Sequence, residues 1–236
     1  MLINHKPIIG IIMDENSSQG GHAYDTGKGY FRAIEQAGGV AIGLPYSLDS
    51  LAFAEQTCAG LMSTGARIRF PADWYVAGDE SPAPQSERFE IERALLTRFL
   101  ELDRPYLGIC NGMQMLGCLS GCLMSGDAKS YTDGTIVHDD RETRHDVTIK
   151  IDTKLHAIVG RENLRVNSFH REAIVQMSDQ VIVNAMSSDG LIEGIERADK
   201  TFALGVQWHP ERLIDETEDA RASFAAFVKA CDKGFR

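Results

Sequence analysis

Four short apolar runs, at 7–13, 40–44, 60–63 and 106–110, punctuate the first half of the chain, each set off by Gly, Pro or Asp. Consecutive apolar residues in an extended segment are apolar on both faces, so such strands belong in a sheet covered on two sides. Helical patterns lie between them, at 27–37 and 86–102. In the second, Phe89, Leu96, Phe99 and Leu100 share one face, while Glu87, Arg88, Arg93 and Glu101 are expected to point away from it. Strands alternating with helices predict an α/β fold, a mostly parallel sheet with helices on both faces. After residue 110 the pattern changes to a helix through Gly121, strands at 146–151, 180–186 and 202–207, and a last helix at 217–231. The segment 67–85 carries Pro71, Pro82 and Pro84 and reads as a long loop of the kind that often forms a lid or binding element. Without repeats or linkers, the 236 residues read as one domain, 1–236.

With 24 basic and 34 acidic residues the net charge is −10, which repels a phosphate backbone, so nucleic acid is not an expected partner. No apolar run approaches the roughly 20 residues of a bilayer span, and the first residues lack a signal-peptide core. The expected location is the cytoplasm, with no membrane partner. The five cysteines are odd in number and scattered, so no disulfide framework is expected. Cys118 and Cys122 stand four apart with no further Cys/His pair at ligand spacing, so no zinc site is expected there.

Gly108-Ile109-Cys110-Asn111-Gly112 follows a buried-strand signature and precedes a helical run. This is the context of a nucleophile elbow, a reactive side chain on a tight strand-to-helix turn with glycines that let the chain pass closely. The free N–H groups of a helix N-terminus there favour an anionic sulfur. The same turn aims the Asn111 N–H at the place where an oxyanion would form. Near the other end stands Gln207-Trp208-His209-Pro210-Glu211. Pro210 pushes His209 toward an extended conformation, in which residues two apart lie on the same side and the Glu211 carboxylate can orient the imidazole. Cys110, His209 and Glu211 are thus the parts of a Cys-His-Glu triad.

The motifs Leu107-Gly108-Ile109-Cys110-Asn111-Gly112-Met113-Gln114, Val166-Asn167-Ser168-Phe169-His170, Ser188-Asp189-Gly190-Leu191-Ile192-Glu193 and the run from Phe202 to Glu211 resemble the class I glutamine amidotransferase-like superfamily, and within it the γ-glutamyl-γ-aminobutyrate hydrolases. The resemblance covers almost the whole chain. It implies a flavodoxin-like three-layer sandwich and a γ-glutamyl amide substrate, cleaved through a γ-glutamyl thioester on Cys110 with no metal or organic cofactor. It also implies an oxyanion hole from Asn111 and the Gly65/Ala66 turn. Gln114, Ser168, His170 and Glu172 become the substrate-binding candidates. Four positions depart from the family pattern: Asn111 stands where arginine is common, Ala66 where a second glycine ends the oxyanion strand, Ser120 where the first of two glycines follows the nucleophile helix, and Glu172 where glutamine is usual. A positive φ at Ala66 would strain it by roughly 1 kcal/mol or more. The extra charge of Glu172 suggests selection of a cationic leaving group such as a polyamine. A homodimer stays open, as do two other readings: a glutaminase subunit feeding ammonia to a synthase, and a weakly catalytic regulatory protein on the same scaffold.

Overall fold

A computed structural model describes residues 6–15 and 22–234. The apolar runs become β1 (Ile8–Ile12), β2 (Val40–Leu44), β3 (Gly60–Ser63) and β4 (Tyr106–Ile109), joined by β11 (Ala203–Val206) in a parallel block ordered β2-β1-β3-β4-β11. Beyond β11 the sheet continues antiparallel through β10 (Ile192–Glu196), β9 (Ile182–Ser187), β6 (Arg144–Ile149) and β7 (Asn163–Asn167), to nine strands. A separate antiparallel ribbon pairs β5 (Leu123–Ser125) with β8 (Ala173–Gln176).

Both faces of the sheet are covered. Ile9 and Ile11 of β1 pack with α1 (Lys28–Gln36), α5 (Lys154–Val159) and α6 (Glu218–Gly234), through Ile34, Leu155 and Phe227. Ile12, Leu44 and Leu61 face the other way, against α2 (Leu48–Thr57), α3 (Arg88–Glu101) and α4 (Asn111–Leu119), where Ala54, Leu96, Phe99 and Leu116 close the second core. This is the expected α/β flavodoxin-like three-layer sandwich. Among the described residues no helix is long and apolar enough to cross a membrane.

Arg88 corrects the reading of α3. Expected to point away from the core, it is fully buried. Its Nε donates to Glu92 Oε2 at 2.6 Å, Nη2 to the Thr64 carbonyl at 2.6 Å and Nη1 to Thr64 Oγ1 at 3.1 Å. Burial disfavours the charged guanidinium, but the Glu92 carboxylate outweighs it and the pKa is raised. A buried charge is tolerated because each direction of its planar fork meets an acceptor. The result is a fixed β3 tip, since Thr64 is gripped on both its backbone and its side chain.

The segment 67–85 is irregular, as expected, yet tied down. A 3₁₀ turn, Ala72–Trp74, stacks Trp74 against Phe70 and Phe89 with ring centroids 5.3 Å from each. Tyr75 bridges to Met124 of β5.

Candidate active site

In open α/β sheets the crevice lies outside the carboxyl ends of the parallel strands, because loops there diverge to opposite faces. Four segments meet at that edge. Asp14 and Glu15 follow β1, Thr64 to Arg67 follow β3, Cys110 ends β4, and Gln207 to Arg212 follow β11. They line a cleft of about 730 Å³.

Cys110 is the N-cap of α4, with φ 52° and ψ −104°. It is one of three non-glycine residues at positive φ among the described residues; the others are Asp103 and Asp152. The conformation is held from both sides. Cys110 N–H donates to the Val206 carbonyl at 2.8 Å, and the Cys110 carbonyl accepts from Gln114 N–H at 3.1 Å. The helix can sit this close to the strand tips only because Gly108 and Gly112 lack side chains. A Cβ on Gly108 would lie 2.5 Å from the Gly112 carbonyl, and one on Gly112 would lie 2.6 Å from the Ser63 carbonyl oxygen. Ala66 is not among the residues at positive φ, so the expected strain there is absent; the strained residue of the site is Cys110.

His209 sits beyond β11 with φ −109° and ψ 80°, and Pro210–Arg212 forms a 3₁₀ turn. The extended run expected through Glu211 is therefore a turn, because Pro at its first position is preset for that geometry. His209 Nδ1 lies 2.9 Å from Glu211 Oε1, both groups being buried. Asn167 pins the backbone: its Oδ1 accepts from His209 N–H at 2.8 Å and its Nδ2 donates to the His209 carbonyl at 2.9 Å. Burial alone would lower the His209 pKa, but the Glu211 carboxylate and the neighbouring Cys110 outweigh it and raise it to about 10. His209 Nε2 has no hydrogen-bond partner among the described residues, leaving it available to the sulfur and to a bound substrate. Cys110 and His209 flank one point. A Cβ built on Gly65 would stand 2.6 Å from His209 Cε1 and 3.4 Å from Cys110 Cβ.

Tyr30 was not foreseen from the sequence. Its hydroxyl accepts from Gly65 N–H at 3.0 Å and lies 3.5 Å from His209 Nδ1. Burial, reinforced by Glu211, raises the Tyr30 pKa well above its usual value, so the phenol stays neutral. Of the expected oxyanion donors, Gly65 N–H is thus engaged. Asn111 N–H lies in the first turn of α4, where backbone donors lack intrahelical acceptors.

A second cavity, about 280 Å³, opens beside Cys110 and is lined by Asn111, Gln114, His170, Arg171 and Glu172. Gln114 is buried, and its Nε2 donates to the Glu172 carbonyl at 2.9 Å and to Gln207 Oε1 at 3.1 Å. Both oxygens of the Glu172 carboxylate accept hydrogen bonds, from Tyr75 at 2.7 Å and Ser81 at 2.6 Å. Burial raises its pKa despite those bonds. Glu172 therefore fastens the 67–85 segment over the pocket. Ser168 lines neither cavity; it is buried against His138, its Oγ donating to the His138 carbonyl at 3.0 Å. Phe169 carries three guanidinium groups around its ring, those of Arg67, Arg141 and Arg212 at 4.7, 4.4 and 5.7 Å.

The comparisons with known proteins come to the same scaffold. A Thermoplasma acidophilum protein described as a GMP synthase subunit superposes with a TM-score of 0.67 at 16% identity, covering 97% of this chain and 95% of that one. At that identity the likeness shows the fold. Among sequences, Protein NtpR of Enterococcus hirae is 32% identical across 94% of this chain and 98% of its own length. The γ-glutamyl-γ-aminobutyrate hydrolase PuuD of Escherichia coli is 29% identical across 97% and 95%. The sequence profile of Peptidase C26 matches residues 7–211, and the chain belongs to that family of class I glutamine amidotransferase-like hydrolases.

Proposed function

We propose that the protein hydrolyses a γ-glutamyl amide bond through a thioester on Cys110, releasing glutamate and an amine. The observation that carries this reading is the placement of Cys110 at the α4 N-terminus beside a His209 that Glu211 and Cys110 hold protonated. The Cys110 sulfur attacks the γ-carbonyl carbon, and the resulting oxyanion is met by the N–H groups of Asn111 and Ala66. The carbon–nitrogen bond then breaks as His209 gives its proton to the departing amine, leaving a γ-glutamyl thioester. Water, deprotonated by the now neutral imidazole, attacks the thioester, and the sulfur leaves as thiolate while His209 regains a proton. Each oxyanion donor contributes about 3 kcal/mol of transition-state stabilisation.

The two cavities divide the substrate at Cys110. By the family resemblance Gln114 contacts the glutamyl portion, which assigns that portion to the smaller pocket. The amine then leaves through the larger cleft, whose rim carries Asp14, Glu15 and Asp25. Those carboxylates, rather than Glu172, are the groups that would favour a cationic amine, while Arg67, Arg141 and Arg212 around Phe169 in the same cleft would favour a carboxylate on it.

A panel of γ-glutamyl amides with cationic, neutral and carboxylate-bearing leaving groups, assayed for glutamate release beside Cys110→Ala, tests the reading. Hydrolysis that is fastest for the cationic members and abolished in Cys110→Ala is the expected result. No glutamate from any member, or activity that survives in Cys110→Ala, overturns it. Ammonia release from glutamine that rises only with a partner protein would favour a glutaminase subunit.

A further inference from the structure

Beside the smaller cavity, which His170 also lines, three buried imidazoles converge on one carboxylate. Glu193 Oε1 stands 3.3 Å from His138 Nδ1, 3.6 Å from His145 Nε2 and 3.4 Å from His170 Nε2. The other nitrogen of each ring faces an oxygen that can only accept. His138 Nε2 lies 3.0 Å from Asp189 Oδ2, His145 Nδ1 lies 3.4 Å from the Asp146 carbonyl, and His170 Nδ1 lies 3.2 Å from the Glu172 carbonyl. Those outer contacts call for N–H, and a neutral imidazole has only one. The inner nitrogens are then lone pairs aimed at an anionic oxygen in a site closed to water. Neither oxygen of Glu193 has a hydrogen-bond partner among the described residues, and nor do His145 Nε2 and His170 Nε2. With the three imidazoles neutral in those tautomers, the acceptors gathered around this point lack only a cation.

We propose that His138, His170 and Glu193, with His145 as fourth ligand, bind a zinc ion. Ligand atoms at the corners of a tetrahedron with zinc–ligand distances of 2.0–2.1 Å stand about 3.3–3.4 Å apart, close to the separations seen around Glu193 Oε1. One ligand atom from each of His138, His170 and Glu193 lies within 4.8 Å of the others, and a larger shift of the His145 ring, whose Nε2 stands 3.6 Å from Glu193 Oε1, completes the set. Outer acceptors that fix the tautomer of each ring are the usual companions of metal-bound histidine. Imidazole and carboxylate donors suit zinc better than the hard, all-oxygen cations. A set of four protein ligands leaves no open position, so the ion is structural. It would hold the segment after β7 against β10. Asn167, which pins His209, is the last residue of β7, directly before that segment, and the Glu193 carbonyl accepts from Gln207 N–H at 2.8 Å. The proposal is independent of the chemistry at Cys110. The competing arrangement has no metal and a doubly protonated His138 that donates to Ser168 Oγ, 3.2 Å away.

The full chain carrying Cys110→Ser, which removes the cysteine that stands beside the His209 imidazole and could capture zinc, is stripped with a chelator and titrated with zinc and separately with cobalt(II). The expected results are one ion per chain, intense tetrahedral cobalt bands, and a thermal midpoint raised by roughly 5–10 °C at a hundredfold excess over the dissociation constant. His170→Gln should weaken zinc binding more than ~100-fold, beyond the effect of losing an outer-shell partner, whereas His156→Gln, half-buried on α5, should not. No stoichiometric ion, an octahedral cobalt spectrum, or unchanged affinity in His170→Gln overturns the proposal. Should His170→Gln fail to fold, the stoichiometry and cobalt spectrum of the Cys110→Ser chain decide alone.

Discussion

Glu211→Gln separates charge from orientation in the proposed triad. The His209 imidazole stands at about 10 instead of 6.5, which corresponds to ~5 kcal/mol of preference for the imidazolium. Burial opposes that preference, and the Glu211 carboxylate 2.9 Å away is the largest favourable contributor. Glutamine keeps a side-chain oxygen in place to accept from Nδ1–H but carries no charge. Removing one partner's charge from a buried pair costs ~3–5 kcal/mol, equivalent to ~2–4 pH units at 1.36 kcal/mol per unit. Because the imidazolium must protonate the leaving amine, kcat/KM in the parent protein should stay level up to about pH 10 and fall above it. In Glu211→Gln the fall should begin at ~pH 6–8. Stability follows the same sign: a raised histidine pKa stabilises fully below the unfolded value of 6.5, and that contribution disappears as pH climbs through about 10. The thermal midpoint of the parent should therefore drop toward pH 10 more steeply than that of Glu211→Gln. Continuous release of p-nitroaniline from a γ-glutamyl anilide across pH 5–11 provides the rate profile. A Glu211→Gln enzyme that is uniformly slower with its alkaline limit unmoved would refute the electrostatic argument and leave Glu211 an orienting role alone.

Gly65→Ala places a Cβ 2.6 Å from His209 Cε1 and 3.2 Å from the Tyr30 hydroxyl; displacement of the ring should lower kcat/KM by ~100-fold, while the thermal midpoint moves only slightly. Asn167→Ala strips two hydrogen bonds from the buried His209 backbone, a loss of ~1–3 kcal/mol that calorimetry should read as a midpoint lower by roughly 2–12 °C. Arg88→Met leaves Glu92 and the Thr64 carbonyl without their partner and should cost ~3–5 kcal/mol in urea unfolding; Arg88→Met with Glu92→Leu should recover much of that, and if the double change is as damaging as the single, the uncompensated carboxylate is not the cause.

Much of the fold was legible because its signal is local. Runs such as 7–13 and 106–110 are apolar throughout because both faces are covered, and the first four strands fall within two residues of where the expected runs lie. Helix α2, with two buried residues, and the short α5 were missed, since neither offers enough apolar periodicity to stand out from a loop. Cys110, His209 and Glu211 could be read because motifs at strand ends carry their own geometry. Tyr30 and Arg88 could not. Each acts across a long sequence separation, Tyr30 on Gly65 and Arg88 on Thr64, and one aromatic or one arginine in a helical pattern carries no mark of its distant partner. His170 could be singled out within its motif, but the convergence of three imidazoles on Glu193 was invisible for the same reason. They come from positions 138, 145 and 170, spaced like no metal motif; the pairing of β6 with β9 and of β9 with β10 carries His145 toward Glu193, and the His170 N–H bond to the His138 carbonyl holds the other two together.

The backbone at Cys110 shows where the fold gives up stability. Asp103 and Asp152, the other two residues at positive φ, have short polar side chains that tolerate that region. Cysteine has no such relief, and a residue held in a sparsely populated region costs ~1–3 kcal/mol. A glycine would remove the cost and the sulfur with it. The conformation persists because its neighbours leave no alternative: Val206 and Gln114 hold both sides of the peptide unit, and Gly108 lets Gly112 press against the strand. The same close approach sets the first turn of α4 against the end of β3, where Arg88 fixes Thr64 and hence the start of the Gly65 turn. Strain in the Cys110 backbone and burial of a guanidinium against the end of β3 are thus two halves of one arrangement. Relaxing either would let the cleft drift while the rest of the sheet stayed intact.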